Sequence, residues 1–262
     1  MKQNIYDDPV FFEGYRQLRQ SEAGLNAAIE EPAVLSLLPD LTGMTILDLG
    51  SGFGDFCRLA RAKGAAVVVG VEISARMLAE AKKRTSDSGI TYLQTAIEDY
   101  AIEEGAYDLV VSRLALHYVK DYRAVVGAVH RGLCGGGSFI FSVEHPICTA
   151  LGRGWHEDEA GRQLFWPVDD YQKEGERKQH WFVDGVVKYH RTVATYVNSL
   201  LRTGFLLTGL LEPRAREDAG DRPDLTAAAR RPPLLVIGAS KPTPPDTRQA
   251  LRAGSRSRPA IP

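Results

Sequence analysis

The chain has 262 residues, with 32 Lys and Arg against 33 Asp and Glu, so its formal net charge is −1. This balance argues against a dedicated nucleic-acid binder, and 44% apolar with 25% charged residues is typical of a globular protein. Its three cysteines form no CxxC pair, which argues against a disulfide framework or a structural zinc site. We expect a cytoplasmic protein without metal, because no signal peptide, membrane span or close metal-ligand spacing is evident.

The pattern of apolar residues divides the chain into five segments. Residues 1–42 predict a helical cap, because aromatic and aliphatic residues recur there at helical spacing. Residues 43–146 alternate short apolar strands with helices, and 189–241 resume that alternation. Residues 147–188 break the rhythm, hold all three tryptophans and predict an aromatic-rich insertion. Residues 242–262 are rich in Pro, Arg, Ala and Ser and predict a disordered tail.

The core segments predict an α/β fold. Their strands are rich in Val, Ile and Leu on both faces, which indicates a parallel sheet covered by helices on each side. The expected strands are 45–49, 65–71, 90–94, 107–111, 138–143, 206–211 and 233–239. Helices are expected up to Lys63 and over 74–84 and 122–133.

A glycine-rich loop between the first strand and its helix is the most informative motif. It reads Asp48-Leu49-Gly50-Ser51-Gly52-Phe53-Gly54. Its glycines allow a sharp turn and close approach to a ligand, and the helix N-terminus presents free N–H groups. Glu72 ends the next strand, where a carboxylate can accept hydrogen bonds from ribose hydroxyls. The alternative, a tight turn with an exposed glutamate, does not explain this order of elements.

Two classes of cofactor use such a loop. The dinucleotide fingerprint G-x-G-x-x-G requires a glycine at position 55, where this chain has Asp55. A carboxylate there would face a pyrophosphate unfavourably. S-adenosylmethionine has a ribose but no phosphate, so the loop fits that ligand better, and an NAD-type oxidoreductase is the alternative.

From Thr45 to about Val143 the chain resembles the class I S-adenosylmethionine-dependent methyltransferases, particularly their small-molecule branch. Residues 46–54 are similar to the first motif of that family, 71–74 to the second, 94–99 to the third and 107–117 to the fourth. The resemblance implies a Rossmann-like methyltransferase fold, with a doubly wound, mostly parallel seven-stranded sheet closed by a hairpin. A non-catalytic protein that binds S-adenosylmethionine is a further alternative.

The resemblance also implies which residues hold the cofactor. Those residues are Asp48, Gly50, Ser51, Gly52, Gly54, Glu72, Ile73, Met77, Ala96, Ile97, Glu98, Ser112, Arg113, His117 and Tyr15. The loop would lie along the methionine part, Glu72 would hold the ribose, and residues 96–98 would meet the adenine. Arg113 would approach the amino-acid end, and Tyr15 belongs to a cap that would close over the cofactor. Thr95 departs from the pattern, because many relatives carry an acid there.

The methyl acceptor is expected to lie beyond the carboxyl ends of the strands. His145 follows the fifth strand and is a candidate base or orienting group, with a loop-capping histidine as the alternative. The tryptophans predict a lid that stacks on a planar ligand, or else a satellite hydrophobic cluster. The expected substrate-binding residues are Glu144, His145, Trp155, Trp166 and Trp181.

The expected reaction is methyl transfer to oxygen or nitrogen of a small, aromatic or heterocyclic metabolite by a monomer or homodimer. Nucleic-acid acceptors are disfavoured by two observations. Residues 112–115 read Ser-Arg-Leu-Ala in place of the Asp/Asn-Pro-Pro-Tyr motif of DNA N-methylases, and no cysteine follows a proline.

Overall fold

A computed structural model of the chain describes residues 2–20, 25–150, 154–215 and 222–243. The expected tail lies outside the described residues from position 244 onward. The described strands are β1 (Thr45–Leu49), β2 (Val67–Glu72), β3 (Ile90–Gln94), β4 (Tyr107–Arg113), β5 (Leu133–Glu144), β6 (His156–Glu157), β7 (Gln163–Phe165), β8 (Gly175–Trp181), β9 (Val183–His190), β10 (Leu206–Leu211) and β11 (Leu234–Ser240).

Seven of these strands form one sheet in the order β10-β11-β5-β4-β1-β2-β3. The strands from β1 to β5 are parallel, and β11 runs antiparallel to both β5 and β10. The sequence prediction of a mostly parallel seven-stranded sheet with a closing hairpin is therefore confirmed. β5 begins at Leu133, five residues earlier than expected, because its pairing with β4 extends back to Tyr107.

Helices lie on both faces of this sheet. The described α-helices are α1 (Pro9–Gln20), α2 (Glu31–Leu37), α3 (Asp55–Ala62), α4 (Ala75–Lys83), α5 (Tyr122–Gly132), α6 (Pro146–Thr149), α7 (Val193–Thr203) and α8 (Pro223–Arg230). Val126 of α5 and Tyr196 of α7 are buried in a cluster with Phe139 and Phe141 of β5. On the other face, Val34 of α2 and Phe56 and Ala60 of α3 pack with Ile46 and Val111.

Local sequence sets several helix boundaries. The Ser74 hydroxyl accepts a hydrogen bond from the backbone N–H of Met77 at the start of α4, and Asp121 does the same for Ala124 in α5. α7 ends at Gly204, whose φ of 100° lies in the left-handed region. Pro32 lies in the first turn of α2, where the missing backbone N–H of proline is tolerated.

The insertion after β5 consists largely of two small antiparallel pairs, β6 with β7 and β8 with β9. The β8–β9 pair is a hairpin that joins Trp181 to Val183 through Phe182, whose φ is 58°. The chain then enters α7 and rejoins the sheet at β10.

No helix among residues 2–20, 25–150, 154–215 and 222–243 is long and apolar enough to cross a membrane. In the same part of the chain, no three His, Cys, Asp or Glu side chains cluster in a way that could hold a metal ion.

Candidate functional site

The glycine loop lies at the point where the chain order of the sheet reverses. β1 has β2 on one side and β4 on the other, and ligands of open α/β sheets bind beyond the carboxyl ends of such strands. Gly50, Gly52 and Gly54 have φ angles of 83°, 53° and 73°, which L-residues other than glycine rarely adopt. The backbone N–H groups of Gly50 and Ser51 both donate to the carbonyl of Val71, at 2.8 and 2.9 Å, and this ties the loop to β2.

Glu72 fixes the loop from the end of β2. Its carboxylate accepts hydrogen bonds from the backbone N–H of Gly52 at 3.0 Å and of Ser74 at 2.9 Å. Burial raises the pKa of Glu72, while these two backbone donors act in the opposite direction. The Glu72 side chain thus supports the loop, and it also borders a large cavity above the loop.

A cavity of about 1050 Å³ lies above the loop. It exceeds the range of about 300–1,000 Å³ that is typical of a pocket for one small ligand, so it has room for two molecules. One wall consists of loop and strand-end residues, namely Gly50, Gly52, Glu72, Ile73, Met77, Thr95, Ala96, Ile97, Glu98 and Asp99. The other residues come from the N-terminal segment, the β4 end and the β8–β9 hairpin: Lys2, Gln3, Ile5, Tyr6, Tyr15, Arg113, Leu114, Ala115, Tyr118, Val119, Lys120, Glu176, Val187 and Tyr189.

A second cavity of about 60 Å³ adjoins the loop and has charged groups of both signs. Arg19 and Arg113 line it together with Asp48. Burial raises the pKa of Asp48 to about 7, although the Cys57 thiol donates to its Oδ2 at 3.3 Å. Two guanidinium groups and two carboxyl groups, those of Asp48 and Asp55, thus line one small cavity. This set suits a zwitterionic amino-acid group, whose carboxylate and ammonium need opposite partners.

Two further observations fit S-adenosylmethionine to these cavities. A Cβ built on Gly52 would meet only the Met77 methyl carbon, at 3.4 Å, so the loop borders open space at this point. The Ser51 hydroxyl is buried beside the smaller cavity and has no hydrogen-bond partner among the described residues. The site therefore offers a cradle and a free polar group where the amino-acid end of this cofactor would lie.

Comparisons with known proteins agree with this fold and site. The methyltransferase domain family model matches residues 47–141. The structure of an S-adenosylmethionine-dependent methyltransferase from Mesorhizobium loti is 43% identical with a TM-score of 0.77, covering 83% of this chain and all of that one. A Listeria monocytogenes structure described with the same cofactor and activity is 46% identical with a TM-score of 0.78. It covers 81% of this chain and 96% of its own. An uncharacterised Haemophilus influenzae protein is 35% identical over 248 residues, 92% of this chain and 98% of that protein.

The fold and the site together define a class I α/β enzyme that uses a nucleoside-containing methyl donor. The chain belongs to the S-adenosylmethionine-dependent methyltransferases, and S-adenosylmethionine is its cofactor. The resemblance to the class I S-adenosylmethionine-dependent methyltransferases, stated from the sequence motifs, is confirmed.

Most of the expected cofactor residues lie around the two cavities, but three do not line either of them. The Ser112 hydroxyl is buried and donates to the carbonyl of Leu49 at 2.7 Å, so it connects the ends of β4 and β1. Gly54 is covered by Tyr92, whose hydroxyl lies only 2.0 Å from a Cβ built on Gly54. His117 is buried, and its Nδ1 accepts from the backbone N–H of Glu144 at 3.4 Å.

His145 follows β5 as expected, and both nitrogens of its ring have partners within the protein. It lines neither cavity, and its Nδ1 accepts the backbone N–H of Ile147 at 3.2 Å as the N-cap of α6. The other nitrogen, Nε2, lies 2.9 Å from Glu212 Oε1. Because Nδ1 is an acceptor, Nε2 carries the proton and no lone pair of the ring is left to take another. The loop-capping alternative describes this histidine.

The structure does not bring the three tryptophans together, and none of them lines either cavity. Trp155 and Trp166 pack edge to face at 5.5 Å, and the Arg231 guanidinium lies 3.8 Å from the centre of the Trp166 ring. Trp181 instead packs against Phe11, at 5.1 Å. This packing resembles the satellite hydrophobic cluster, which the sequence analysis gives as the alternative to a substrate lid. Glu144 is likewise off the cavity and forms an ion pair of 2.8 Å with Lys188.

The N-terminal strap, residues 2–8, belongs to the segment 1–42 that the sequence predicts as a cap, but its individual contacts carry no sequence motif. Lys2 forms an ion pair with Asp99, and the Gln3 amide exchanges two hydrogen bonds with the backbone of Val187 on β9, at 2.7 and 3.2 Å. Asp7 accepts from the Ser74 hydroxyl at 2.6 Å. The strap is thereby tied to three different edges of the large cavity.

Proposed function

We propose that this methyltransferase acts on oxygen or nitrogen of a small aromatic or heterocyclic acceptor, which binds in the part of the large cavity beside the tyrosines. The observation that carries the proposal is the size of this cavity, about 1050 Å³, together with its two chemically distinct walls. One wall holds the cofactor motifs. The other supplies four phenol rings, which suit a planar acceptor; they are Tyr6, Tyr15, Tyr118 and Tyr189.

In this proposal the two ends of the cofactor bind at different cavities. Glu72 would accept hydrogen bonds from the ribose hydroxyls, and Ile73 and Met77 would pack beside the adenine. Arg113 and Asp48 would bind the carboxylate and the ammonium of the amino-acid end in the smaller cavity. When bound, S-adenosylmethionine supplies a methyl group activated by its sulfonium.

The acceptor wall contains no histidine among its described residues. Burial raises the pKa values of Tyr6, Tyr15 and Tyr118, so these phenols stay protonated and act as hydrogen-bond groups rather than bases. The protein would therefore contribute alignment and exclusion of water, and an acceptor atom with a free lone pair would attack without a side-chain base.

Tyr118 is the side chain best placed to orient the acceptor. Its hydroxyl is buried beside the Tyr6 hydroxyl, with which it interacts, and its side chain borders the cavity. A phenol hydroxyl can donate one hydrogen bond and also accept, so a hydroxyl paired with Tyr6 keeps capacity for a bond to a ligand. Tyr118 lies five residues after the end of β4, in the short helical turn Leu116–Tyr118.

The strap would enclose both ligands. Its bonds reach α4, the turn after β3 and the β9 strand, so it crosses the cavity that the two walls form. A cover of this kind excludes water and selects against large acceptors. We therefore favour a small molecule over a nucleic acid or a protein as the acceptor.

Tyr118→Phe tests the acceptor site, with an acceptor found by screening aromatic and heterocyclic compounds for release of S-adenosylhomocysteine. We expect kcat/KM for that acceptor to fall by about three- to tenfold, the value of one hydrogen bond, with little change in S-adenosylhomocysteine affinity. His145→Ala serves as the comparison. It should leave turnover nearly unchanged and lower the free energy of unfolding by about 0.5–2 kcal/mol through the lost N-cap.

Unchanged acceptor kinetics in Tyr118→Phe would show that the acceptor does not bind beside this hydroxyl. A fall in turnover of a hundredfold or more in folded His145→Ala would restore His145 as a proton acceptor.

A further inference from the structure

A carboxylate without exposed surface lies next to the smaller cavity. Glu30 ends the π-helical turn Asn26–Glu30, and its side chain is completely buried. Its Oε1 accepts a hydrogen bond of 2.7 Å from the Ser142 hydroxyl. Both of its oxygens accept from Nε of Arg113 at 3.0 Å, and Oε2 also accepts from Nη2. These partners fix the position of the carboxylate between α2 and the ends of β4 and β5.

This pairing uses one edge of the Arg113 guanidinium and leaves the other available. Glu30 takes Nε and Nη2, and Glu31 contacts the same Nη2 at 3.3 Å. Among the described residues nothing accepts a hydrogen bond from Nη1, and Arg113 borders both cavities. A guanidinium is planar and rigid, so holding one edge also sets the direction of the other.

Stability alone is a weak reason for such a pair, because the cost of burying two charges offsets most of their attraction. The place of Glu30 also indicates a role in the site, since π-helical turns occur frequently at functional sites. Arg19, the other guanidinium of the smaller cavity, is held separately by Asp55 at 2.8 Å. Glu30 therefore acts on Arg113 alone.

We propose that Glu30 is a positioning residue that directs Arg113 toward the carboxylate at the amino-acid end of the cofactor. This inference rests on the proposed function, which places that end in the smaller cavity. Glu30 itself touches no ligand. Its loss should therefore affect ligands that have the amino-acid end and spare ligands that lack it.

Two probes separate these cases: S-adenosylhomocysteine, and 5′-methylthioadenosine, which has the adenosine and the thioether but no amino-acid end. In Glu30→Gln, which keeps the size of the side chain and removes its charge, Arg113 loses its ionic partner. We expect Kd for S-adenosylhomocysteine to rise about tenfold and Kd for 5′-methylthioadenosine to change by less than about twofold, both measured by calorimetric titration.

Glu31→Gln is the matched control, because Glu31 contacts the same guanidinium but its side chain is 42% exposed; both affinities should stay unchanged. Ser142→Ala removes one donor to Glu30 without a change of charge and should give a smaller loss with the same selectivity, which tests the proposal even where Glu30→Gln does not fold. An equal loss for both probes, or no loss for S-adenosylhomocysteine, would overturn the positioning role. If 5′-methylthioadenosine failed to bind the unaltered protein, the cofactor placement itself would be wrong, and this inference with it.

Discussion

Replacing Gly52 by valine is expected to abolish cofactor binding while the protein stays folded. The added side chain would extend from the loop into the large cavity, since a Cβ there meets only the Met77 methyl carbon at 3.4 Å. It would occupy the space in which the loop backbone approaches the ligand. We expect affinity for S-adenosylmethionine to fall by at least about a hundredfold, measured by calorimetric titration.

The left-handed φ of 53° at Gly52 also predicts a loss of stability of about 1–2 kcal/mol for a side chain at this position. Gly105→Val provides the matched control, because Gly105 has a φ of 63°, meets nothing within 4 Å of an added Cβ and lies away from both cavities. If both variants lose a similar amount of stability and only Gly52→Val loses cofactor binding, the loss of binding comes from the blocked cavity and not from backbone strain. Normal binding by folded Gly52→Val would remove the main support for the loop as the cofactor site.

Glu72→Ala should weaken S-adenosylmethionine binding by about 5- to 150-fold. Hydrogen bonds to a charged carboxylate contribute about 1–3 kcal/mol, and the ribose hydroxyls would lose that acceptor. The variant also frees the backbone N–H groups of Gly52 and Ser74, so the loop itself is less well held. Thermal unfolding, measured on the same variant, shows how much the loop is destabilised and so separates this effect from the lost contact with the ribose.

Glu176→Ala is the comparison for this experiment. Glu176 borders the same cavity from β8, on the acceptor wall, and its removal should leave cofactor affinity unchanged. Equal affinities for Glu72→Ala and the unaltered protein would place the ribose elsewhere.

The sheet could be predicted from the sequence because its strands are short, apolar and separated by helices with clear ends. The strand 90–94 was located to the residue, and the loop at Gly50–Gly54 followed from its glycines together with the strand, helix and acid around them. Strand β5 was predicted too short, because residues 135–137 are all glycine and glycine disfavours strands by itself. In the structure β4 pairs with Leu133 and then again from Ser138, and the three glycines lie in the register shift between these two points.

The acceptor side could not be predicted in the same way, because its residues are distant in sequence and carry no motif. The strap reaches the cavity through single contacts, such as that between Gln3 and Val187, which periodicity does not encode. Aromatic content pointed to the tryptophans, yet tyrosines line the cavity. The sequence does contain a signal for Glu30. Ala33 and Val34 follow it by three and four residues, so this acid lies on the apolar face of a predicted helix, where a charged side chain needs a partner.

We propose that the cofactor binds along the glycine loop, with its ribose at Glu72 and its amino-acid end at Arg113. A crystal structure of the protein grown with S-adenosylhomocysteine would show this placement. We expect both ribose hydroxyls within hydrogen-bond distance of the Glu72 carboxylate and the ligand carboxylate beside Arg113 in the smaller cavity. A ligand bound away from the loop, or bound with its adenine at Arg113 and its amino-acid end at Glu72, would contradict it.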